Sequence, residues 1–372
     1  MSTKTSYSQN STYIMCPMYW FNSYVKKLKG VTEGASLYFG SAIDTAVEHL
    51  LKGNNDYIEK FYDRWHTAIS NNKPKQIYDA DDIIFGYNDF DEAILDKTND
   101  SITMESWARE LNLLQPNETA DFSKLVNLYK ETVKLKKNSF KRPTNEQIKY
   151  FNRLSWLSMN HKGRILLEAF KTQFYPKIKK VIATQQFTNI TDPNTGDSVV
   201  GVIDMVLEID GYDKPIIFDL KTAGMPYDQN NIDYSDQLTL YAGMKGSYYN
   251  TNLVGYIVLC KNIPKDIVAY CNKCNGNRNG RHKTCDALDS TGNRCHGDWI
   301  ETKVPKPIVQ VLVEEKSPEQ IQSLFQDISN IILAMKNKIV YKNTSRCDNW
   351  YGSICVYKNL CHKNDPSGLI KK

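Results

Sequence analysis

One stretch constrains the fold of this chain more than any other: Gly201 to Lys221, reading GVIDMVLEIDGYDKPIIFDLK. Alternating apolar runs from Val199 to Ile209 and from Ile216 to Lys221 flank Asp210, Gly211, Tyr212, Asp213, Lys214 and Pro215, whose turn chemistry predicts a β-hairpin. Asp204 and Asp219 stand at equal sequence distance from the Gly211/Tyr212 midpoint, so a symmetric register sets them opposite each other on adjacent strands. Like charges opposed across a ladder cost roughly 0.2–1 kcal/mol unless a cation sits between them. A divalent metal ion resolves the repulsion. Side chains alternate along a strand, so Asp219 and Lys221 share a face while Phe218 and Leu220 point into the opposite layer. A surface hairpin with solvated charges has the same pattern, and the rest of the chain must decide between the two.

At 372 residues, 41% hydrophobic and 24% charged, the chain can bury a substantial core, which excludes a disordered chain or a mini-protein. No apolar run reaches the ~18 residues that a membrane span requires, and the opening MSTKTSYSQNS lacks the hydrophobic region of a signal peptide. The expectation is a cytoplasmic protein with no membrane partner. A net charge of +5 permits a polyanionic partner without demanding one. Nine cysteines in a chain with no export signal favour metal ligation over a disulfide framework.

Before the hairpin, Leu37 to Leu51 reads as a helix with Ile43, Val47, Leu50 and Leu51 as its buried stripe. Asp44 and Glu48 lie four residues apart beside that stripe, on one face. Residues 55–150 are read as a helical insertion, with helical patches at Tyr57 to Ile69 and Phe122 to Lys136, and Gln147 to Lys180 as a second helical tract. Ile182 to Phe187 is a first strand, and Asp192 to Gly196 a turn into the hairpin. Beyond it, Ser235 to Met244 reads as a helix with Gln237 and Tyr241 on one face, Val254 to Cys260 as a strand, Ile308 to Val313 as a sheet edge, and Ser317 to Lys336 as an amphipathic helix opened by a capping box. The order describes an α/β fold, a mixed central sheet flanked by helices.

Two cysteine groups stand apart. Cys271-x2-Cys274-x10-Cys285-x9-Cys295 lies in a Gly-, Asn- and Arg-rich insertion, 268–299, too poor in apolar residues to fold unaided, and a tetrahedral Zn²⁺ would supply the missing energy. His282 or His296 could replace one of its ligands, and Arg278, Arg281, Lys283 and Arg294 could grip phosphates. Cys347-x7-Cys355-x5-Cys361 lacks a fourth ligand nearby, and Cys16 is the candidate that would join residues 1–30 to 340–372 through a metal or a cluster.

Taken with Cys16-Pro17 and its aromatic neighbours, Gly40-x3-Asp44, Gly201-Val-Ile-Asp204, Asp219-Leu-Lys221, Gln237-x3-Tyr241 and the C-terminal cysteine trio, the chain resembles the PD-(D/E)XK nucleases of the RecB type, in the iron–sulfur branch seen in CRISPR adaptation nucleases and phage exonucleases. The resemblance runs over nearly the whole chain and implies a single restriction-endonuclease-like domain, 1–372, carrying the helical and zinc-ribbon-like insertions. It implies Asp204, Asp219 and the Leu220 carbonyl as ligands of Mg²⁺ or Mn²⁺ beside Asp44, Lys221 orienting or deprotonating the attacking water, Gln237 and Tyr241 positioning DNA, and Cys16, Cys347, Cys355 and Cys361 holding a [4Fe-4S] cluster. Two carboxylates and a lysine suit phosphodiester hydrolysis. Asp44 departs from the His of many relatives, and Gln185 and Gln186 stand where relatives often place an acidic residue.

The implied activity is a metal-dependent DNA exonuclease acting at duplex ends or on single strands, in a bacterial or phage-infected cell, in recombination, repair or CRISPR adaptation. With no G-x4-G-K-[ST] motor motif, it would work beside a recombinase, helicase or CRISPR integrase. The rival reading is a non-catalytic DNA-binding accessory protein with a relic site. A zinc ion in the terminal cysteine set is the alternative to iron–sulfur.

Overall fold

The computed structural model describes every residue except 1–2, 71–72, 81, 87–108, 110–121, 138–142, 193–194, 263–264, 275–283, 286, 289–291, 306–307 and 349–353. In chain order it runs through strand β1 (Lys4–Ser6), helices α1 (Ala35–Leu51) and α2 (Tyr57–His66), a hairpin of β2 (Thr67–Ser70) and β3 (Lys73–Gln76), and helices α3 (Phe122–Lys137) and α4 (Asn145–Ala169). The sheet strands β4 (Ile178–Thr191), β5 (Ser198–Ile209) and β6 (Ile216–Ala223) follow, then helix α5 (Asp236–Tyr249) and strand β7 (Leu253–Cys260). An arm of β8 (Lys265–Cys271) and β9 (Trp299–Pro305) precedes β10 (Val309–Glu315) and helix α6 (Pro318–Lys336).

The central sheet has six strands and is mixed. β4, β5 and β6 form the antiparallel meander, β7 runs parallel to β6, and β10 closes the far edge antiparallel to β7. The hairpin pairs Met205 with Phe218 and Leu207 with Ile216, the symmetric register that the turn dictates. One edge of β5 is covered by β4 along its length. The other is shared: β1 pairs with Ser198 to Val200 and β6 with Met205 to Leu207, so Gly201 to Asp204 have no strand beside them. The sheet is split there.

Helices cover both faces, as amphipathic stripes on either side of a sheet require. On one face Phe39, Ile43 and Val47 of α1, Phe61 and Trp65 of α2 and Leu157 and Leu167 of α4 pack on Met205, Leu207, Phe218 and Leu220. On the other, Leu238, Leu240 and Tyr241 of α5 and Ile328 and Ile332 of α6 pack on Val199, Ile203, Val206 and Ile217. Each such side chain contributes about 1.5–3 kcal/mol of burial. Capping boxes start α4 at Thr144/Gln147 and α6 at Ser317/Gln320. Among the described residues no helix is long and apolar enough to cross a membrane.

The region 55–150 departs from an all-helical reading. Helix α2 ends at His66, and Thr67–Ser70 turns back on Lys73–Gln76 as an antiparallel pair, while Ile83–Ile84 pairs with Glu33–Gly34. The helical period of α2 stops at a β-branched residue, Thr67, and Pro74 cannot continue a helix. Most of this region between 87 and 121 lies outside the described residues. The two chain ends meet: Leu28–Gly30 pairs with Leu369–Lys371, and the Tyr357 hydroxyl donates to the Leu28 carbonyl at 2.6 Å.

Candidate active site

Where the sheet splits, Asp204 of β5 and Asp219 of β6 come together. Beyond Met205/Phe218 the two strands exchange no further ladder bonds, and the Leu220 N–H donates instead to Asp204 Oδ2 at 2.9 Å. Asp219 is 2% exposed. Its Oδ1 accepts from Gln237 Nε2 at 2.7 Å, and the Lys221 ammonium lies 2.6 Å from Oδ2. That Oδ2 is buried and accepts no hydrogen bond of good geometry, its charge being met by the Lys221 ammonium. Gln237 ties the group together: its Oε1 accepts from Lys221 at 3.2 Å, and its amide also donates to the Tyr241 hydroxyl at 3.0 Å. Tyr241 in turn donates to the Val202 carbonyl at 2.8 Å, satisfying the open edge of β5. Gly201 makes this possible, because a Cβ there would lie 3.1 Å from the Tyr241 ring.

Electrostatics mark the same place. Burial, then the charges of Asp204 and Asp219, push the Asp44 carboxyl up to about 7. Asp204 also rises to about 7, through burial and the Asp219 charge, although the Leu220 N–H, Lys221 and Gln185 favour its ionised form. Burial raises Asp219 too, against the pull of Lys221. For Lys221, burial works against the charge, but Asp219 outweighs it and the group is held above the ordinary lysine value. Three carboxyls that resist ionisation around a charged lysine form a site short of positive charge, and a divalent cation fits that deficit.

Each sequence candidate can now be placed. Asp219, Lys221, Gln237 and Tyr241 form one bonded network, Asp204 meets it through the Leu220 N–H, and Asp44 reaches it through its charge from α1. Among the described residues, no set of three carboxylates lies as close together as the cysteines described below. The Leu220 backbone sits in the network through its N–H. Gln237 and Tyr241 spend their polar ends on Asp219 and Val202. Glu48 points elsewhere, ion-paired with Lys52 at 2.6 Å.

Gln185 belongs to the same site. It stands in β4 between the residues paired with Ile203 and Met205, with φ of 45°, a left-handed backbone rarely adopted by such a residue, and it favours the ionised form of Asp204. No glycine or asparagine announces that conformation.

The arm carries the tightest ligand set. One sulfur from each of Cys271, Cys274, Cys285 and Cys295 falls within 4.8 Å of the others, with Cys271 and Cys295 at 3.5 Å and Cys274 and Cys285 at 3.6 Å. The Lys273 N–H reaches Cys271 Sγ at 3.4 Å. Burial opposes the Cys271 thiolate, but the Cys274 and Lys273 amides outweigh it and bring the thiol down to about 6. Cys285 is pushed up to about 12: the Ala287 amide lowers it, while burial and the neighbouring sulfurs prevail. Four sulfurs at this spacing can all ionise only around a cation, and they can form a zinc-ribbon-like site. Gly297 leaves room for it, since a Cβ there would lie 2.3 Å from Cys271 Sγ. His296 is exposed and outside the group; His282, Arg278, Arg281 and Lys283 lie outside the described residues.

At the joined ends, Cys16, Cys347, Cys355 and Cys361 line one cavity together with Tyr19, Lys342, Asn343, Arg346 and Tyr357. Burial and the neighbouring sulfurs raise Cys347 and Cys361, and Cys355 to about 11. The Asn343 N–H lies 3.5 Å from Cys16 Sγ, and His362 Nε2 3.4 Å from Cys347 Sγ.

No curated protein matches the chain. Among solved structures it is similar to one described as "Crystal structure of SSO0001", at 11% identity over 64% of this chain and 86% of that one, with a TM-score of 0.22, a likeness too loose to carry an argument. The family model of the PD-(D/E)XK nuclease superfamily matches residues 4–362, nearly the whole chain, and the protein belongs to that superfamily.

Proposed function

We propose that the protein is a metal-dependent DNA exonuclease whose reaction centre is the split between β5 and β6. The observation that carries the reading is the Asp204–Asp219 pair with Lys221 held on Asp219 at 2.6 Å. A bound Mg²⁺ or Mn²⁺ would supply a Lewis acid for the phosphoryl oxygen and lower the pKa of a bound water. Asp204 and Asp219, with the Leu220 carbonyl, would hold it, and Asp44 would complete an all-oxygen donor set that suits hard cations. Lys221, held protonated by Asp219, serves as a charged donor that orients water and stabilises the phosphorane-like charge rather than as the base. Gln237 and Tyr241 position Asp219 and the β5 edge, and so the face that DNA approaches.

The arm's four cysteines are the candidate Zn²⁺ site, and Cys16, Cys347, Cys355 and Cys361 the candidate [4Fe-4S] site, a clasp between the chain ends. Substrate ends or single strands, and partners such as a recombinase, helicase or CRISPR integrase, belong to this same reading. The test is degradation of end-labelled DNA by wild type and Asp219→Ala with Mg²⁺ or Mn²⁺. Loss in the variant is expected; no degradation by wild type in either metal would favour a non-catalytic DNA-binding protein. Anaerobically purified protein should be brown, absorbing near ~400 nm, whereas a colourless preparation holding two zinc ions would replace the cluster with a second zinc.

A further inference from the structure

The exposed aromatic residues are scattered, but one stands in register with the carboxylate site. Phe187 of β4 is 60% exposed and pairs directly with Val202 of β5, itself 41% exposed. Val202 and Asp204 are two residues apart on one strand, so they share a face, and Ile203 between them packs into the opposite layer. Two residues of strand span ~7 Å. Across β5, the Lys4 ammonium of β1 lies 5.5 Å from the centre of the Phe187 ring. The row Lys4, Phe187, Val202 therefore leads along one sheet face to Asp204, and it runs beside the edge that no strand covers.

We propose that this row is a stacking platform for an unpaired base of single-stranded DNA entering the site, which rests on the nuclease reading and narrows its substrate class. An aromatic ring beside an aliphatic side chain is a flat apolar surface, and base-on-aromatic stacking is sequence-tolerant because every base has a π face. In a duplex those faces are already stacked on one another, so only a single strand or a frayed end can offer one. A stacked strand advances ~3.4 Å per nucleotide, which puts the base on Phe187 about two nucleotides from a phosphate at Asp204. The Lys4 ammonium lies over the Phe187 ring, so a base that stacks there displaces it toward the neighbouring phosphate. An exposed pair that merely shields the Lys4 stem would bind nothing.

The test compares wild type, Phe187→Ala and Phe187→Tyr, in chelator so that nothing is cut, by fluorescence anisotropy with a short labelled single strand and with a blunt duplex of the same length. Stacking energies imply that Phe187→Ala weakens single-strand binding about tenfold, with about 5- to 150-fold as the range, while Phe187→Tyr stays near wild type. A 2-aminopurine base in the strand should be quenched by wild type and not by Phe187→Ala. Unchanged affinity in Phe187→Ala, or an equal loss on duplex, overturns the platform. Cleavage by wild type with Mg²⁺ or Mn²⁺ is read separately. Cleavage with Phe187-independent binding removes the platform and keeps the nuclease, whereas Phe187-dependent binding without cleavage does the reverse. Because Phe187 is exposed, its variants should melt like wild type, and the Tyr variant controls for any that does not.

Discussion

Replacing Asp44 by asparagine should make the metal-free protein more stable and the metal-binding protein worse. Asp44 rises from its ordinary 3.8 to about 7, chiefly through burial and then through Asp204 and Asp219. A folded-state value above the unfolded one means that ionisation opposes folding. The cost is absent below the unfolded value, grows by about 1.4 kcal/mol per pH unit above it, and is complete above pH 7. The ceiling is therefore about 4 kcal/mol, and relaxation with water entry into a partly exposed site brings the expectation to roughly 2 kcal/mol. In chelator at pH 8, Asp44→Asn should melt about 4 °C above wild type. At pH 5 the gain should shrink to under ~1 kcal/mol. Adding Mn²⁺ at pH 8 should reverse the order, because wild type gains binding energy that the variant has lost. A lower melting temperature for the variant at pH 8 in chelator, or a gain of the same size at pH 5, would refute the electrostatic reasoning.

Three further outcomes follow from the same network. Because Asp44 and Asp204 both titrate near 7, Mn²⁺ binding must displace protons, so calorimetric affinity should rise from pH 6 to pH 8 and proton release per ion should fall; a pH-independent affinity would sink this. Tyr241→Phe removes the donor to the Val202 carbonyl and should cost about 1–2 kcal/mol in urea unfolding, and no cost would mean that the edge of β5 is satisfied otherwise. Gly297→Ala places a Cβ against Cys271 Sγ and should lower the zinc content measured by release to a chromogenic chelator, whereas full occupancy would show that the arm yields.

What could be read in advance divides along a physical line. The hairpin register was legible because a Gly-containing turn between two alternating runs leaves only one in-phase pairing that buries both apolar faces, but the ladder ends at Met205/Phe218, so Asp204 and Asp219 meet at the split beyond it rather than as a ladder pair. The α1 stripe was legible for the same reason at period 3.6: Ile43, Val47, Leu50 and Leu51 are all buried, which turns Asp44 toward the sheet. The departures have no local signal. The short pairs Thr67–Ser70 with Lys73–Gln76 and Leu28–Gly30 with Leu369–Lys371 are too brief to show a period, and the second joins residues more than three hundred positions apart. Gln185 is the sharper case. Its left-handed backbone is set by its neighbours in the sheet, not by its own preference, and a residue held there at a cost of order 1–3 kcal/mol needs a return. The return is its pull on Asp204, where Gln185 favours the ionised carboxylate in a site where burial opposes it. The strain therefore belongs to the charged site, and relieving it with Gln185→Gly should stabilise the backbone while loosening Asp204. Cation affinity measured on that variant separates the two effects: stability up and affinity down together tie the strand distortion to the carboxylate, and affinity unchanged would detach it.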